Sequence, residues 1–248
     1  MRIVFVLAAF ILFANNYVMA GPVEFSATAI QQFPQGPEKI AQMNVGHDGV
    51  RREYYYHGQV VVEIYRPEDG VRYMILPSRN TYEISKEARH STKRQKTEKR
   101  STNPCQGLKG EECRFLGKEK IYGRIADKWE VKRLVNGNQI RALVWVDVER
   151  GQSLRQFFPD GGIVELKQSG TEMLGGRLTE KWIIKSSSPD GQSETSFQWY
   201  DVELGIVIKE ILPGGYVREL KDIKTGTQAK ALFDVPAGYT QVESIKPD

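Results

Sequence analysis

Apolar residues recur at every second position through much of this chain, and one such pattern occurs twice. In Gly123 to Lys132, Trp129 and Val131 share one side of a two-residue repeat, with Lys128, Glu130 and Lys132 on the other. Gly176 to Lys185 repeats the arrangement, with Trp182 and Ile184 on the inward side. Strict alternation over such a window predicts half-buried strands. The next apolar pairs are Leu143 and Trp145 in the first copy, Phe197 and Trp199 in the second. Asn136-Gly137-Asn138 and Pro189-Asp190-Gly191 lie between the strands, where glycine supplies the positive φ of a tight turn. Each copy then reaches an Asp-x-Glu-x-Gly segment, Asp147 to Gly151 and Asp201 to Gly205, and a glycine pair, 161–162 and 214–215, before a further strand. The period is 53 residues from Gly123 to Gly176 and 54 from Trp145 to Trp199, so we read an internal duplication. The pattern predicts an all-β fold with at most a minor helical part, built as an antiparallel meander.

Phe25 to Tyr82 adds strands of the same kind, separated by turns at Gly46-His47-Asp48-Gly49, His57-Gly58-Gln59, Pro67 to Gly70 and Pro77 to Asn80. Short strands with regular turns imply a barrel or a strongly curved sheet. Two stretches break the pattern. Met1 to Ala20 carries Arg2, an apolar run from Ile3 to Ala14, and small residues at Val18-Met19-Ala20. The run is shorter than the roughly 20 residues a membrane span needs, so it is expected to be a signal peptide cleaved after Ala20, with export to the periplasm. Lys86 to Arg100 holds seven basic residues against Glu87 and Glu98, and no large apolar one. It reads as a solvated connector, because blocks of like charge stay unfolded, or as a patch for phosphates or anionic lipid head groups through residues such as Lys93 and Arg94. The expected organisation is a signal peptide (1–20) and one β domain (21–248). That domain divides into N-terminal strands (21–85), a basic connector (86–104) and the duplicated meander (105–248).

Composition adds little chemistry. The formal charge of +4 is too small to demand a polyanionic partner, and no aromatic residue interleaves the basic run to stack on bases, so nucleic acid is not expected. Cys105 and Cys113 are the only cysteines, and an even count in an exported chain predicts a disulfide. The histidines, His47, His57 and His90, have no zinc-like spacing with the thiols or each other, so no metal or other cofactor is expected. There is no Gly-x-Ser-x-Gly elbow and no phosphate-loop glycine spacing. Asp147 and Glu149, echoed by Asp201 and Glu203, have the look of an acid–base pair. Their duplication with the scaffold favours capping turn amides instead. No catalytic residue is assigned.

The chain resembles the LolA-like family of outer-membrane lipoprotein-sorting proteins. The resemblance rests on Trp199-Tyr200-Asp201 through Gly205 to Lys209, on the closing Phe233-Asp234-Val235-Pro236-Ala237-Gly238-Tyr239, and on Asp48 to Glu53, Ile64 to Arg66 and Met74 to Tyr82. It implies a curved, unclosed, barrel-like antiparallel sheet whose concave face shelters acyl chains, and no enzymatic activity. Those carriers cover the cavity with apolar helices, whereas Lys86 to Arg100, the one helix candidate here, is charged all round. The expected function is a periplasmic carrier for an apolar ligand, such as a lipid or a lipoprotein acyl chain. Trp129, Val131, Trp182 and Ile184 would line the apolar face, with Lys93 and Arg94 meeting a head group. The alternative is an envelope protein-interaction or sensor module that docks a partner through the sheet or the basic segment, with peripheral membrane contact.

Overall fold

The computed structural model describes residues 23–86, 102–106, 111–135 and 138–245. The first six strands are β1 (Phe25–Gln32), β2 (Lys39–Gly46), β3 (Gly49–Tyr56), β4 (Gln59–Arg66), β5 (Val71–Leu76) and β6 (Thr81–Lys86). The first sequence copy supplies β7 (Glu111–Ile121), β8 (Arg124–Val135), β9 (Asn138–Asp147) and β10 (Ser153–Phe157). The second supplies β11 (Ile163–Leu174), β12 (Arg177–Ser187), β13 (Ser193–Asp201), β14 (Ile206–Ile211) and β15 (Val217–Thr225), and a short β16 (Thr240–Gln241) closes the chain. All belong to one sheet, ordered β16-β6-β5-β4-β3-β2-β1-β15-β14-β13-β12-β11-β10-β9-β8-β7. Every pairing is antiparallel except that of β16 with β6. The sheet does not close: β7 ends it on one side and β16 on the other. Between β6 and β7 the chain passes from one border to the opposite one, then meanders back until β15 meets β1 along Phe25 to Gln32. The signal segment, most of the basic connector with Lys93 and Arg94, and the Asn136-Gly137 turn lie outside the described residues.

Turn chemistry acts where the pattern places it. His57 and Gly58 both take positive φ, 48° and 75°, the geometry that lets a two-residue loop follow the strand twist from β3 to β4. Gly46 and Gly49 frame the β2–β3 turn for another reason. A Cβ on Gly46 would stand 2.6 Å from the Phe233 ring, and one on Gly49 2.4 Å from the Tyr65 carbonyl oxygen. Cys105 and Cys113 are joined by a disulfide.

The buried apolar residues fall into three clusters along the sheet rather than one large interior. The first packs Phe25, Ala27, Met43, Val45 and Val50 against Leu204 and Ile208. The second joins Ile121, Ala126, Trp145, Leu154, Leu166 and Trp182. The third sets Val62, Ile64 and Ile75 under Phe233, which a short 3-10 turn (Lys230–Phe233) delivers. Leu154 and Leu166 of the second cluster have counterparts 54 residues on, Ile208 and Leu220, that pack in the first.

Alternation misassigns one strand. In β8 the side expected to face water holds Ala126, 0% exposed, and Glu130, 1% exposed, whereas Trp129 and Val131 are only half-buried. Glu130 is screened from water by the two arginine side chains that lie over it, while Ala126 packs into the second cluster.

Candidate ligand-binding site

The register of β7 to β10 lines up a row of side chains on one face. Arg114 of β7 pairs with Glu130 of β8, Glu130 with Leu143 of β9, and Leu143 with Phe157 of β10. Directly paired residues share a face, so these four stand side by side. Together with Leu116, Lys128, Arg141 and Phe158 they line a concavity of about 480 Å³. It is a shallow concavity, open to solvent along much of its extent. Leu116 and Phe157 remain 39% and 36% exposed, so the walls present apolar surface to solvent.

Glu130 forms the floor. Its Oε2 accepts a hydrogen bond from Arg114 Nε at 3.0 Å, and its Oε1 accepts from Arg141. The Arg114 bond holds its carboxyl below the usual glutamate range; burial opposes this and Arg141 reinforces it. Both arginine side chains are more than 60% exposed, and the Nη groups of Arg114 bond to no described residue. Lys128 is committed elsewhere: its Nζ donates to Glu119 at 2.7 Å and lies 4.9 Å over the Trp145 ring, while Trp145 Nε1 donates to the other Glu119 oxygen at 2.7 Å.

That supporting arrangement recurs in the second copy. Lys181 lies 4.9 Å over Trp199, and both engage Glu172. Arg124 pairs with Asp147 and Glu149, and Arg177 with Asp201 and Glu203. Asp147 Oδ1 accepts the amides of Glu149 and Arg150, and Asp201 Oδ1 those of Glu203 and Leu204. Of the carboxylates that looked like acid–base pairs, Asp147 and Asp201 therefore cap turns, and Glu149 and Glu203 pair with arginines at the surface. The row on the concavity does not recur. Register places Lys167, Ile183, Phe197 and Ile211 where the first copy has Arg114, Glu130, Leu143 and Phe157, and Thr195 corresponds to Arg141. A buried carboxylate held by two arginines is thus peculiar to the first copy.

The four residues expected on an apolar face are not brought together. Trp129 and Val131 alternate with Glu130 and so point away from the concavity, Trp129 against Phe115 with ring centroids 5.2 Å apart. Its Nε1 is buried and hydrogen-bonded to no described group. Trp182 is 2% exposed inside the second cluster, where Arg150 lies 5.7 Å over its ring and Ile184 packs beside it. His47 is exposed next to Asp48, and His57 lies in a turn against Tyr56. Among the described residues no group of His, Cys, Asp and Glu is arranged to hold a metal ion. The alternation pattern missed Arg114, Glu130 and Arg141. The sequence signal that marks them is the departure of one copy from the other.

No family model matches the chain, and no curated protein matches it. Among solved structures it is similar to a provisionally assigned outer-membrane lipoprotein-sorting protein domain from Vibrio parahaemolyticus, at 10% identity over 85% of this chain and 89% of that one, with a TM-score of 0.33. A LolA-superfamily protein from Nitrosomonas europaea matches at 11% identity over 86% and 89%, with a TM-score of 0.31. The Pseudomonas aeruginosa MucA/MucB complex contributes a chain at 13% identity over 85% and 95%, with a TM-score of 0.22.

Proposed function

We propose that this is an exported periplasmic protein that binds or carries an apolar ligand, such as a lipid or a lipoprotein acyl chain, and that it works by binding rather than catalysis. The observation that carries the reading is the concavity on β7 to β10, whose walls Leu116, Leu143, Phe157 and Phe158 leave apolar area facing water. Covering such area with a ligand chain is favourable by about 0.8 kcal/mol per methylene removed from water. We place the ligand here rather than on Trp182, whose ring is already enclosed by its own cluster. Residues 21–248 act in this reading as one β domain behind a cleaved signal, and Lys93 and Arg94 would meet a head group at the membrane. The test is uptake of a fluorescent fatty-acid probe by delipidated protein. Leu116→Asp, on the border strand, is expected to weaken uptake at least tenfold with an unchanged circular dichroism spectrum. Full uptake by that variant would remove the concavity from consideration.

A second reading rests on the outer side of β7, which pairs with no described strand over its eleven residues. An open strand border is a template for strand addition by another chain. In that case the protein is an envelope interaction or sensor module, and Lys120→Pro would abolish partner binding while leaving probe uptake intact.

A further inference from the structure

The two copies share a scaffold and differ in the residues that face the concavity, and that contrast has chemical content. Where the second copy has Lys167, Ile183 and Thr195, the first has Arg114, Glu130 and Arg141. Ion pairs made by solvent-exposed arginines contribute little net stability, and Ile183 shows that this scaffold accepts an apolar residue at the place of Glu130. The cluster therefore calls for a reason other than folding. Glu130 anchors both guanidiniums at the rim, fixing two long side chains that would otherwise sample many rotamers. Anchoring uses the Nε of Arg114 and the Nε and one Nη of Arg141, and leaves the Nη groups of Arg114 and the other Nη of Arg141 as outward N–H donors beside the apolar wall. Counting Lys128 and Glu119, three cations meet two carboxylates, so the rim keeps one net positive charge.

We propose that the concavity selects amphiphiles with one anionic head group, carboxylate or phosphate, which docks on the free donors of Arg114 and Arg141 while the chain lies on Leu116, Leu143, Phe157 and Phe158. This rests on the apolar-ligand reading above and adds the polarity and charge of the ligand's end. Guanidinium is suited to the task because its planar fork of donors matches the oxygens of a carboxylate or phosphate.

The test compares three probes of equal chain length, dodecanoate, dodecyl phosphate and dodecanol, displacing a neutral fluorescent apolar probe from delipidated full-length protein. At low salt the anions are expected to bind about tenfold tighter than dodecanol, a difference of 1.4 kcal/mol. The gap should narrow at high salt because the rim is exposed. A stronger carboxylate points to a free fatty acid, a stronger phosphate to a phospholipid, and either supports the proposal. The control is the triple variant Arg114→Lys, Glu130→Ile, Arg141→Thr, which installs the second copy's own residues and so leaves no buried carboxylate unpaired. It is expected to lose the preference for anions, so that dodecanoate, dodecyl phosphate and dodecanol displace the reporter with equal affinity whatever the absolute affinity becomes. Equal affinity for all three probes, or a preference that survives in the triple variant, overturns the proposal and leaves the apolar-ligand reading standing. Failure of the neutral reporter itself to bind overturns both, and a bound reporter that no probe displaces overturns the head-group proposal alone.

Discussion

A carboxylate at 1% exposure has to be neutral or surrounded by donors, and Glu130 and Asp147 take the second course in different ways. Asp147 meets Arg124 on one side and the turn amides of Glu149 and Arg150 on the other. Burial pushes its carboxyl upward, and those three donors outweigh it, so the group sits below the usual aspartate range. The folded value is then lower than the unfolded one, and the unfolded chain binds more protons in acid. The stability this gives is present above the unfolded value, about 3.9 for aspartate, and is lost as pH falls through the folded value. Asp147→Asn should lower stability at pH 7 by about 1–3 kcal/mol, since Arg124 loses its charged partner. It should also flatten the acid limb of a plot of urea midpoint against pH. An equally steep limb in the variant would place the pH dependence elsewhere. The tryptophans separate on the same grounds of environment. Trp182, enclosed by its cluster, should lose about 3–5 kcal/mol on change to Ala. Trp129 leans on Phe115, itself 48% exposed, and should lose clearly less. Equal unfolding midpoints for the two variants would contradict that ranking.

The elements were far more legible than their faces. Alternating residues and turn glycines marked the strands and hairpins on either side of His57-Gly58 and of Pro189-Asp190-Gly191, because local backbone preference and the period of two act within a few residues. Which side is buried depends on what packs there. Glu130 reads as a surface residue until Arg114 and Arg141, 16 and 11 positions away along the chain, are brought to it by strand register. Register shifts in β7, between Phe115 and Gly117, and in β11, between Gln168 and Gly170, also reset the alternation partway along a strand. The border strand β7 shows what local sequence can assign. Among the described residues it has a neighbour on one side only, and the Cys105–Cys113 bond ties it to the segment before it, where Thr102 donates to Asp127 at 2.6 Å. Closing so short a loop contributes roughly 2–3 kcal/mol in the chain-entropy model. Cys105→Ser with Cys113→Ser should lower stability by up to that amount and speed amide exchange in β7 before other strands. A loss confined to global unfolding, with β7 exchange unchanged, would mean that the bond does not anchor the border.

At the scale of the whole molecule, the sheet is continuous but its interior is not. Three apolar clusters are strung along it, and the N-terminal strands join the C-terminal ones where β1 pairs with β15. Each cluster draws on neighbouring strands, the arrangement in which stability becomes a sum of local terms with coupling between neighbours. The third cluster gives the cleanest test of that coupling. Phe233, 1% exposed, arrives from the C-terminal 3-10 turn and packs on Val62, Ile64 and Ile75, with Gly46 leaving room for its ring. Phe233→Ala removes the aromatic lid and should lower the stability of this region by about 3–5 kcal/mol. If openings are local, native-state amide exchange should accelerate in β2 to β5 and stay at the wild-type rate in β11 to β13, which share no cluster with Phe233. The concavity on β7 to β10 lies near the far border of the sheet, so probe uptake should also be unchanged. Uniform acceleration across all strands, with uptake falling in step, would instead show that the sheet opens as one cooperative unit and that the β1–β15 seam transmits the full loss from one border to the other.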